Sequence, residues 1–325
     1  MSWLGSVLRF FRGGRSPAEL AAWLKLPEPE LREWLGGRPP EPRGWNYGYS
    51  RFTIPKRRGG ERAIEAPSEA LKALQRTVLH RLLNPLPFHP AATGFVPGRS
   101  IVDNARPHAG RGVVINLDLE NFFPSLGAEQ VRKAFRSLGW GRGAAAILTH
   151  ICTHEGRLPQ GAPTSPALSN LVCRRLDERL AALVKKAGGG YTRYADDITV
   201  SFSRFGRNEP LRPKPQQAKR SPRLPRPPSR RLLTSIKRIL KQEGFRIQMK
   251  KKVRVQRAHQ RQTATGLVVN REINLPRTLR RRIRAMQHRR HLGRLNDDDL
   301  QRLRGLEAFQ RMVESQRKNE TYGRR

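Results

Sequence analysis

The chain has 325 residues, enough for two packed domains or for one large domain with appendages. Its 65 lysines and arginines against 26 aspartates and glutamates give a formal net charge of +39, which favours a polyanionic partner such as nucleic acid. An arginine-rich proteome or an acidic membrane surface would also explain this charge, but no apolar run reaches the length that spans a bilayer. The two cysteines exclude a disulfide framework, and the lack of signal-peptide features leads us to expect a cytoplasmic protein.

The first hundred residues predict short helices followed by an extended hairpin. Residues 17–35 hold two helical stretches interrupted by prolines, either a small helix-turn-helix or a plain helical hairpin packed on the main body. β-Prone composition follows over 47–67, with RGGE (58–61) between two runs, which predicts a β-hairpin. Leucine and valine then recur at helical spacing over 69–83, which predicts a helix.

The middle of the chain alternates strands and helices. Residues 112–123 begin with an apolar run typical of a buried strand. Over 164–186 an apolar residue occurs at every fourth position from Leu168, which predicts one long helix with Thr164 or Ser165 as its cap. The stretch YTRYADDITVSF (191–202) alternates apolar residues after a pair of aspartates, which predicts a second β-hairpin.

The last third begins with a segment that lacks apolar residues. Residues 207–230 are rich in proline and basic side chains, which predicts a mobile insertion. A helix over 231–243 and a strand over 244–255 follow, and from about residue 276 the sequence is helical and basic with one apolar stripe, including Leu303. The order of strands and helices predicts a split β-α-β sheet that contains antiparallel pairs and carries helices on one face.

Three aspartates are the candidate catalytic residues. Asp118 lies near the end of the predicted buried strand, and Asp196 and Asp197 lie at the turn of the second predicted hairpin. If that strand and hairpin are neighbours, the three carboxylates meet at one edge of the sheet, where their repulsion favours a hard divalent cation such as Mg²⁺. Two such ions about 3.5–4 Å apart support nucleotidyl transfer. A plain polar turn is the alternative interpretation of the aspartate pair.

The segment HICTHE (150–155) groups histidine, cysteine and glutamate residues, as zinc sites do. The sequence has no second ligand cluster at the spacing of a structural zinc site, so we do not predict zinc there.

Five segments in fixed order resemble the motifs of reverse transcriptases. YADD (194–197), between two β-prone runs, is similar to the catalytic signature of that family. The resemblance covers roughly residues 45–290. The other four segments correspond to the fingers hairpin, the strand of the first catalytic aspartate, the loop and helix under the nucleotide, and the next palm segment; they are IPKRRGGERAIEAP (54–67), NLDLENFFPSL (116–126), LPQGAPTSPALSNLVCRRLD (158–177) and GFRIQMKKKVRV (244–255).

Two further elements resemble the retron type of reverse transcriptase. NARPH (104–108) fits the N-A-x-x-H element of that type, and ATGLVVN (264–270) is close to its V-T-G element. Ala264 stands where the element usually has valine, while Thr265 and Gly266 are retained. Generic reverse transcriptases lack both elements, so the retron resemblance depends on them.

The resemblance implies an α+β fold, a right-hand polymerase with fingers, a palm and a basic helical thumb. The palm would be the split β-α-β antiparallel sheet with its helices. The boundaries that we expect are an N-terminal helical extension over 1–44, fingers over 45–112, fingers and palm with the catalytic carboxylates over 113–262 (including the insertion 207–230), and the thumb over 263–325.

The resemblance also implies the metal and nucleotide ligands. Asp118, Asp196 and Asp197 would bind two Mg²⁺ ions, for which Mn²⁺ can substitute, with Asp197 the less direct ligand. The residues implied for the incoming deoxynucleoside triphosphate (dNTP) are Lys56 and Arg62 at the triphosphate, Phe123 under the sugar, where its ring excludes a ribose 2′-hydroxyl, and Gln160 and Gly161 against the nucleotide.

Further roles follow from the same resemblance. Lys251 would protonate the leaving pyrophosphate, although three consecutive lysines leave its register uncertain by one residue. Asn104, His108, Thr265 and Gly266 would help to recognise the template RNA. A purely structural role for His108 is equally compatible with the sequence.

The function implied is that of a retron reverse transcriptase, an RNA-directed DNA polymerase. Its partners would be dNTPs, a cognate structured non-coding RNA, the RNA–DNA hybrid that it makes from that RNA, and a separate effector protein in anti-phage defence. The product would be multicopy single-stranded DNA (msDNA) primed from an RNA 2′-hydroxyl. The alternatives are a group II intron or diversity-generating reverse transcriptase, and an RNA-binding protein whose polymerase site is vestigial.

Overall fold

The computed structural model describes most of the chain. The residues that it describes are 16–33, 48–56, 59–203, 230–248 and 253–318. Residues 207–229 of the predicted insertion lie outside these ranges. None of the described helices is both long and apolar enough to cross a membrane.

Helices and short strands alternate in the described part of the chain. The helices are α1 (Pro17–Leu24), α2 (Glu28–Glu33), α3 (Glu69–Val78), α4 (Ile101–Ala105), α5 (Ala128–Ser137), α6 (Arg142–Cys152), α7 (Ser165–Val172), α8 (Arg174–Lys186), α9 (Arg230–Gln242), α10 (Arg277–His291) and α11 (Asp297–Lys318). The strands are β1 (Tyr49–Pro55), β2 (Glu61–Pro67), β3 (Val113–Asp118), β4 (Gly189–Tyr194), β5 (Asp197–Phe202), β6 (Arg254–Arg257), β7 (Thr263–Ala264) and β8 (Leu267–Val268). A π-helical turn (Leu79–Leu83) follows α3, and a 3-10 turn (Arg106–His108) follows α4.

The described residues divide into two compact units. Unit 1 takes those within Met1–Gly98, Leu119–Glu178 and Gln242–Arg246. Unit 2 takes those within Arg99–Asp118, Arg179–Lys241 and Ile247–Arg325.

Unit 1 contains the predicted N-terminal helices and the first hairpin. The α1 helix begins with a capping box, in which the Glu19 amide donates to the Ser16 hydroxyl and the Ser16 amide donates to the Glu19 carboxylate. The β1 and β2 strands pair antiparallel as far as Pro55 opposite Glu61. Gly59 and Gly60 at the turn have φ values of 86° and 80°, which glycine adopts without a Cβ clash. The RGGE turn prediction is therefore confirmed.

The segment predicted as one long helix over 164–186 is two helices, and that prediction was wrong. Cys173 stands between α7 and α8 with a ψ of 0°, far from the value of about −42° that continues an α-helix. Thr164 takes the N-cap position without a capping hydrogen bond from its side chain. Apolar residues keep their spacing across this one-residue interruption, so periodicity alone gives no sign of the break.

Unit 2 is built on a four-stranded antiparallel sheet with the strand order β4-β5-β3-β6. This is the antiparallel sheet that the order of elements predicted. The strand expected over 244–255 begins only at Arg254 among the described residues. Before it, the Gln248 amide donates to the Asp118 carbonyl at 2.8 Å, so this segment makes a local backbone contact with the end of β3 outside any regular strand.

The core of unit 2 joins the sheet to the basic helices at the end of the chain. Val114 of β3 belongs to one buried cluster with Leu267 of β8, Ile283 of α10 and Leu303 of α11. The apolar stripe predicted for the last helix therefore faces this core, and the arginines of the other faces are left exposed.

Candidate active site

The predicted aspartates occupy one edge of the sheet in unit 2. Asp118 is the last residue of β3, and Asp197, the first residue of β5, lies directly opposite it in the antiparallel register. The prediction that strand and hairpin are neighbours is confirmed. Directly opposed residues in an antiparallel pair have Cβ atoms about 4.5–5.5 Å apart, and like charges there are destabilising. The opposition of Asp118 and Asp197 therefore does not stabilise the fold, and we expect it to serve a function.

Asp196 lies in the two-residue turn that joins β4 to β5. Tyr194 pairs with Asp197, so only Ala195 and Asp196 form the turn. Ala195 has a φ of 57°, an uncommon conformation for a residue with a Cβ. The Arg193 guanidinium is fully buried and donates to the Ala195 carbonyl at 3.3 Å. A buried cation thus supports the turn that presents Asp196, and it partly offsets the negative charge of this edge.

The aspartates offer the donor type that Mg²⁺ and Mn²⁺ prefer. Asp118 and Asp196 are half-buried and Asp197 is exposed, so carboxylate oxygens face solvent where a cation keeps open positions for water and phosphate. The three side chains share an edge without forming a tight cluster: among the described residues, only Glu65, His154 and Glu155 form a group of three with all ligand atoms within 4.8 Å.

The cluster of Glu65, His154 and Glu155 is part of an ion-pair network within unit 1. Arg51 and Arg157 each pair with both glutamates, with Arg157 at 2.8 Å from Glu65 and at 3.1 Å from Glu155. Arg51 beside Glu155 lowers the pKa of that carboxyl from its usual value. Because two arginines neutralise the two carboxylates, this network joins β1 and β2 to the 154–157 turn.

The predicted triphosphate ligands flank the first hairpin turn. Lys56 and Arg62 are exposed, and the Lys56 amide donates to the Gly60 carbonyl at 2.8 Å, which closes the turn. Their role at the triphosphate stays a prediction.

Phe123, the predicted residue under the sugar, is half-buried in a row of aromatic rings. Its ring centroid lies 6.0 Å from that of Phe95 and 5.4 Å from that of Phe122, which in turn lies 6.0 Å from Phe245. Phe122 and Phe245 are buried, whereas Phe95 is 40% exposed. The row fixes the position of Phe123 from its buried side, as expected of a residue whose ring must limit the size of a sugar.

The Gln160–Gly161 loop is bonded to β2. The Glu65 amide donates to the Gln160 carbonyl at 3.0 Å. Gly161 has a φ of 148°, and a Cβ at that position would stand 2.5 Å from the Glu65 carbonyl oxygen. The group that approaches Gly161 in the structure is the Glu65 backbone, and the predicted contact of Gly161 with the nucleotide stays a prediction.

The two retron-type elements meet inside unit 2, although 161 residues separate Asn104 from Thr265. The Asn104 amide donates to the Thr265 hydroxyl at 3.4 Å, and this hydroxyl donates to the Ile101 carbonyl at 3.2 Å. Asn104 is fully buried. Thr265 and Gly266 form the turn between β7 and β8 with positive φ, and Gly266 is exposed.

His108 is fully buried against the hairpin that carries Asp196 and Asp197. Its Nδ1 lies 2.7 Å from the Ser201 hydroxyl of β5, and its Nε2 lies 2.8 Å from the Thr192 hydroxyl of β4. Thr192 gives its own proton to the Asn104 carbonyl, so His108 donates from Nε2 and accepts at Nδ1. Burial lowers the pKa of His108 to about 3, and the ring is neutral.

Comparison with known proteins identifies the family. The profile of the family described as "Reverse transcriptase (RNA-dependent DNA polymerase)" matches residues 54–270, which is more than half of the chain. The chain belongs to the reverse transcriptase family.

Its relatives are of the retron type. It is 39% identical over 292 residues to the Retron Mx162 reverse transcriptase and 40% identical over 285 residues to the Retron Mx65 reverse transcriptase, both of Myxococcus xanthus. These matches take 82% of this chain but 58% and 61% of those proteins, so the chain spans less than two thirds of either. The Retron Ec86 reverse transcriptase of Escherichia coli is 36% identical over 274 residues, which are 83% of this chain and 78% of that protein.

Two residues of this retron-type reverse transcriptase were missed by motif analysis. They are Arg193, which supports the Ala195–Asp196 turn, and Glu65, which bonds to the Gln160–Gly161 loop; they lie within the segments YTRYADDITVSF and IPKRRGGERAIEAP. A charged residue within a buried, β-prone run was the available signal for Arg193, because such a residue needs a partner. Lys251 lies outside the described residues, and its role stays a prediction.

Proposed function

We propose that this reverse transcriptase is the RNA-directed DNA polymerase of a retron, copying part of a cognate structured non-coding RNA into DNA. The observation that carries the proposal is the direct opposition of Asp118 and Asp197 beside the Asp196 turn, in a chain that belongs to the retron type. Such a concentration of negative charge on a chain of charge +39 is expected where cations mediate catalysis on a polyanion.

The carboxylates hold the reaction centre in this proposal. Asp118 and Asp196 would be the direct ligands of two divalent cations, and Asp197 would support them. When bound, Mg²⁺ or Mn²⁺ activates the attacking hydroxyl and stabilises the charge on the leaving pyrophosphate. Arg193 keeps the turn in place by its hydrogen bond to Ala195, so that Asp196 keeps its orientation through the reaction.

The incoming dNTP would be bound by residues of unit 1. Lys56 and Arg62 contact the triphosphate, the Phe123 ring leaves no room for a 2′-hydroxyl, and Gln160 and Gly161 line the nucleotide. The Lys251 ammonium would give its proton to the pyrophosphate as it leaves.

The retron type suggests how synthesis begins and what it serves. We propose that it starts at a 2′-hydroxyl of the cognate RNA and yields branched msDNA, in the cytoplasm, in a defence system with a separate effector. The Thr265–Gly266 turn, of which Gly266 is exposed, is the candidate RNA contact. Asn104 and His108 are fully buried, which favours support of that turn and of the catalytic hairpin over direct contact.

A primer-extension assay with a DNA primer on an RNA template tests the proposal. We expect Asp196→Ala to abolish extension, because the remaining carboxylates cannot hold both cations. Asp298→Ala, which removes an exposed aspartate of α11 in the same unit, is the matched control and should extend at the wild-type rate. Wild-type extension by Asp196→Ala would refute the mechanism.

The retron part of the proposal has its own test. The chain is expressed with the DNA that flanks its gene, and the nucleic acid that co-purifies is sequenced and treated with a debranching enzyme. We expect a DNA whose 5′ end is joined to RNA by a 2′,5′ linkage. Active polymerase without such a product would favour another class of bacterial reverse transcriptase.

A further inference from the structure

A cleft of about 320 Å³ lies between α10 and α11 in unit 2. This volume is at the lower end of the range for pockets that bind small ligands. Leu275 and Val313 line it, and both are almost wholly buried, so they form its floor. Nothing in the proposed polymerase reaction uses this cleft.

Two of the three arginines that line the cleft have no carboxylate partner among the described residues. Arg280 and Arg284 line it and are exposed, and among the described residues neither has an acidic side chain within ion-pair distance. Arg317, which also lines the cleft, is paired with Glu272 at 3.1 Å. Two unpaired guanidinium groups one helical turn apart are arranged to hold a phosphate.

The helix α11 and the second half of α10 offer groups that can bind the edge of a base. Gln310 donates to the Glu314 carboxylate at 2.8 Å, and Gln287 donates to Glu307 at 2.9 Å. Glu314 and the two amides line the cleft. A carboxylate accepts hydrogen bonds from the exocyclic amino group of a base, whereas it repels a phosphate. The cleft therefore combines a cationic wall, an apolar floor and a polar, acceptor-bearing wall.

We propose that this cleft binds one unpaired nucleotide of the RNA partner. Its phosphates contact Arg280 and Arg284, its base covers Leu275 and Val313, and an exocyclic amino group of the base donates to Glu314. Bases that are splayed out of single-stranded RNA are recognised in this way, by hydrogen bonds to their edges. The inference rests on the proposed function for its RNA ligand, and it adds a recognition site apart from the catalytic residues.

The test measures RNA affinity and RNA protection together. The probe is the labelled transcript of the DNA that flanks the gene, bound to the full chain in a filter assay and mapped by chemical probing of the bases. We expect Arg280→Ala with Arg284→Ala to weaken binding about tenfold or more and to expose a single nucleotide that the wild type protects. That nucleotide should be a guanine, cytosine or adenine, and its replacement by uracil should weaken wild-type binding in the same direction.

The matched control is Arg277→Ala with Arg281→Ala. It removes the same charge at the same spacing from the same helix, but neither residue lines the cleft. We expect it to lower affinity by a smaller factor and to leave the protection pattern unchanged. Equal losses in the two double variants, with the same protected bases, would show that α10 contributes only general charge and would overturn the inference.

Two further outcomes separate the sources of the phosphate and the two proposals. Saturable thermal stabilisation by inorganic phosphate alone, lost in Arg280→Ala with Arg284→Ala but kept in the control, would assign the cleft to a free anion and overturn the RNA assignment. Extension of oligo(dT) on poly(rA) by the wild type reports the proposed polymerase by itself. Failure of this extension would refute the proposed function. The binding and protection results would still show whether the cleft binds a nucleotide of the RNA.

Discussion

At the scale of single residues, the sequence motifs predicted that the aspartates lie together, which the strand register confirms, but they do not reveal what each side chain touches. Asp118, Asp196 and Asp197 could be predicted because aspartates in β-prone runs have no structural benefit there. The contacts of Gly161 and Arg193 could not, because they depend on which backbone atoms fold against them. Glu65 and Gly161 are 96 residues apart, and their approach follows only from the fold.

Gly161→Ala tests that approach. We expect a loss of stability of about 1–3 kcal/mol, because the new Cβ would meet the Glu65 carbonyl oxygen at 2.5 Å in a conformation with a φ of 148°. Gly305→Ala is the control: Gly305 is helical with nothing within 4 Å of its added Cβ, so the change should stabilise by about 0.5–1 kcal/mol. Urea unfolding measures both. An unchanged free energy of unfolding in Gly161→Ala would show that the loop can move away from the Glu65 carbonyl without cost.

Phe123→Ala tests the sugar discrimination. We expect the preference for dNTPs over ribonucleotides, measured as the ratio of kcat/KM values in primer extension, to fall by roughly ten- to a hundredfold, because the ring that excludes the 2′-hydroxyl is gone. The rate with dNTPs should fall less. Phe52→Ala removes an exposed ring of β1 and should leave the ratio unchanged. An unchanged ratio in Phe123→Ala would mean that the ring only packs against Phe95 and Phe122.

At the scale of elements, periodicity predicted most helices and strands, and it failed where backbone geometry decides. Both hairpins, the buried strand and the helical character of the chain after residue 276 were predicted, although the division of that last part into two helices was not. The break at Cys173 and the late start of β6 were not, because neither changes the spacing of apolar residues. The contact between NARPH and ATGLVVN could not be predicted either. Each element is a local sequence motif, and only the fold brings Asn104 within hydrogen-bond distance of Thr265.

The buried His108 of the NARPH element predicts how the stability of the fold depends on pH. His108 has a pKa of about 3 in the folded chain against 6.5 in the unfolded chain. Below about pH 6.5 the unfolded chain therefore binds a proton at His108 that the folded chain does not bind. The free energy of unfolding consequently falls as the pH drops from 6.5 towards 3. We expect His108→Gln to be less stable at pH 7.5, because two hydroxyl contacts change, and to lose less stability towards pH 5.

Urea unfolding at a series of pH values measures this effect. The comparison variant is His288→Gln, which changes an exposed histidine of α10 and should follow the wild-type pH profile. If His108→Gln has the wild-type slope between pH 5 and pH 6.5, protonation of His108 is not what limits stability in acid, and the ring is less isolated from solvent than its contacts indicate.

At the scale of the whole molecule, composition favours a polyanionic partner. The formal net charge of +39 follows from the excess of lysine and arginine over aspartate and glutamate. In the described part of α10, Arg290 with Glu307 is the ion pair that the geometry shows. Unpaired guanidinium groups release counterions from a polyanion when they bind it, which gives affinity with little sequence preference. In our proposals, specificity for the cognate RNA comes from local features, the Thr265–Gly266 turn and the cleft between α10 and α11.

This charge predicts a steep salt dependence of RNA binding. Each phosphate contact contributes a slope of about −0.7 to the plot of log K against log salt for single strands, so a protein that makes several contacts loses about a thousandfold or more in affinity between roughly 50 and 200 mM salt. The plot is measured by filter binding with the transcript of the flanking DNA and again with an unrelated RNA of equal length. We expect similar slopes for both, because the phosphate contacts are shared, and a constant offset in affinity that the local features supply.

A slope near zero for either RNA would contradict an electrostatic origin of binding. A steeper slope for the flanking transcript would mean that recognition of the cognate RNA adds phosphate contacts rather than base contacts.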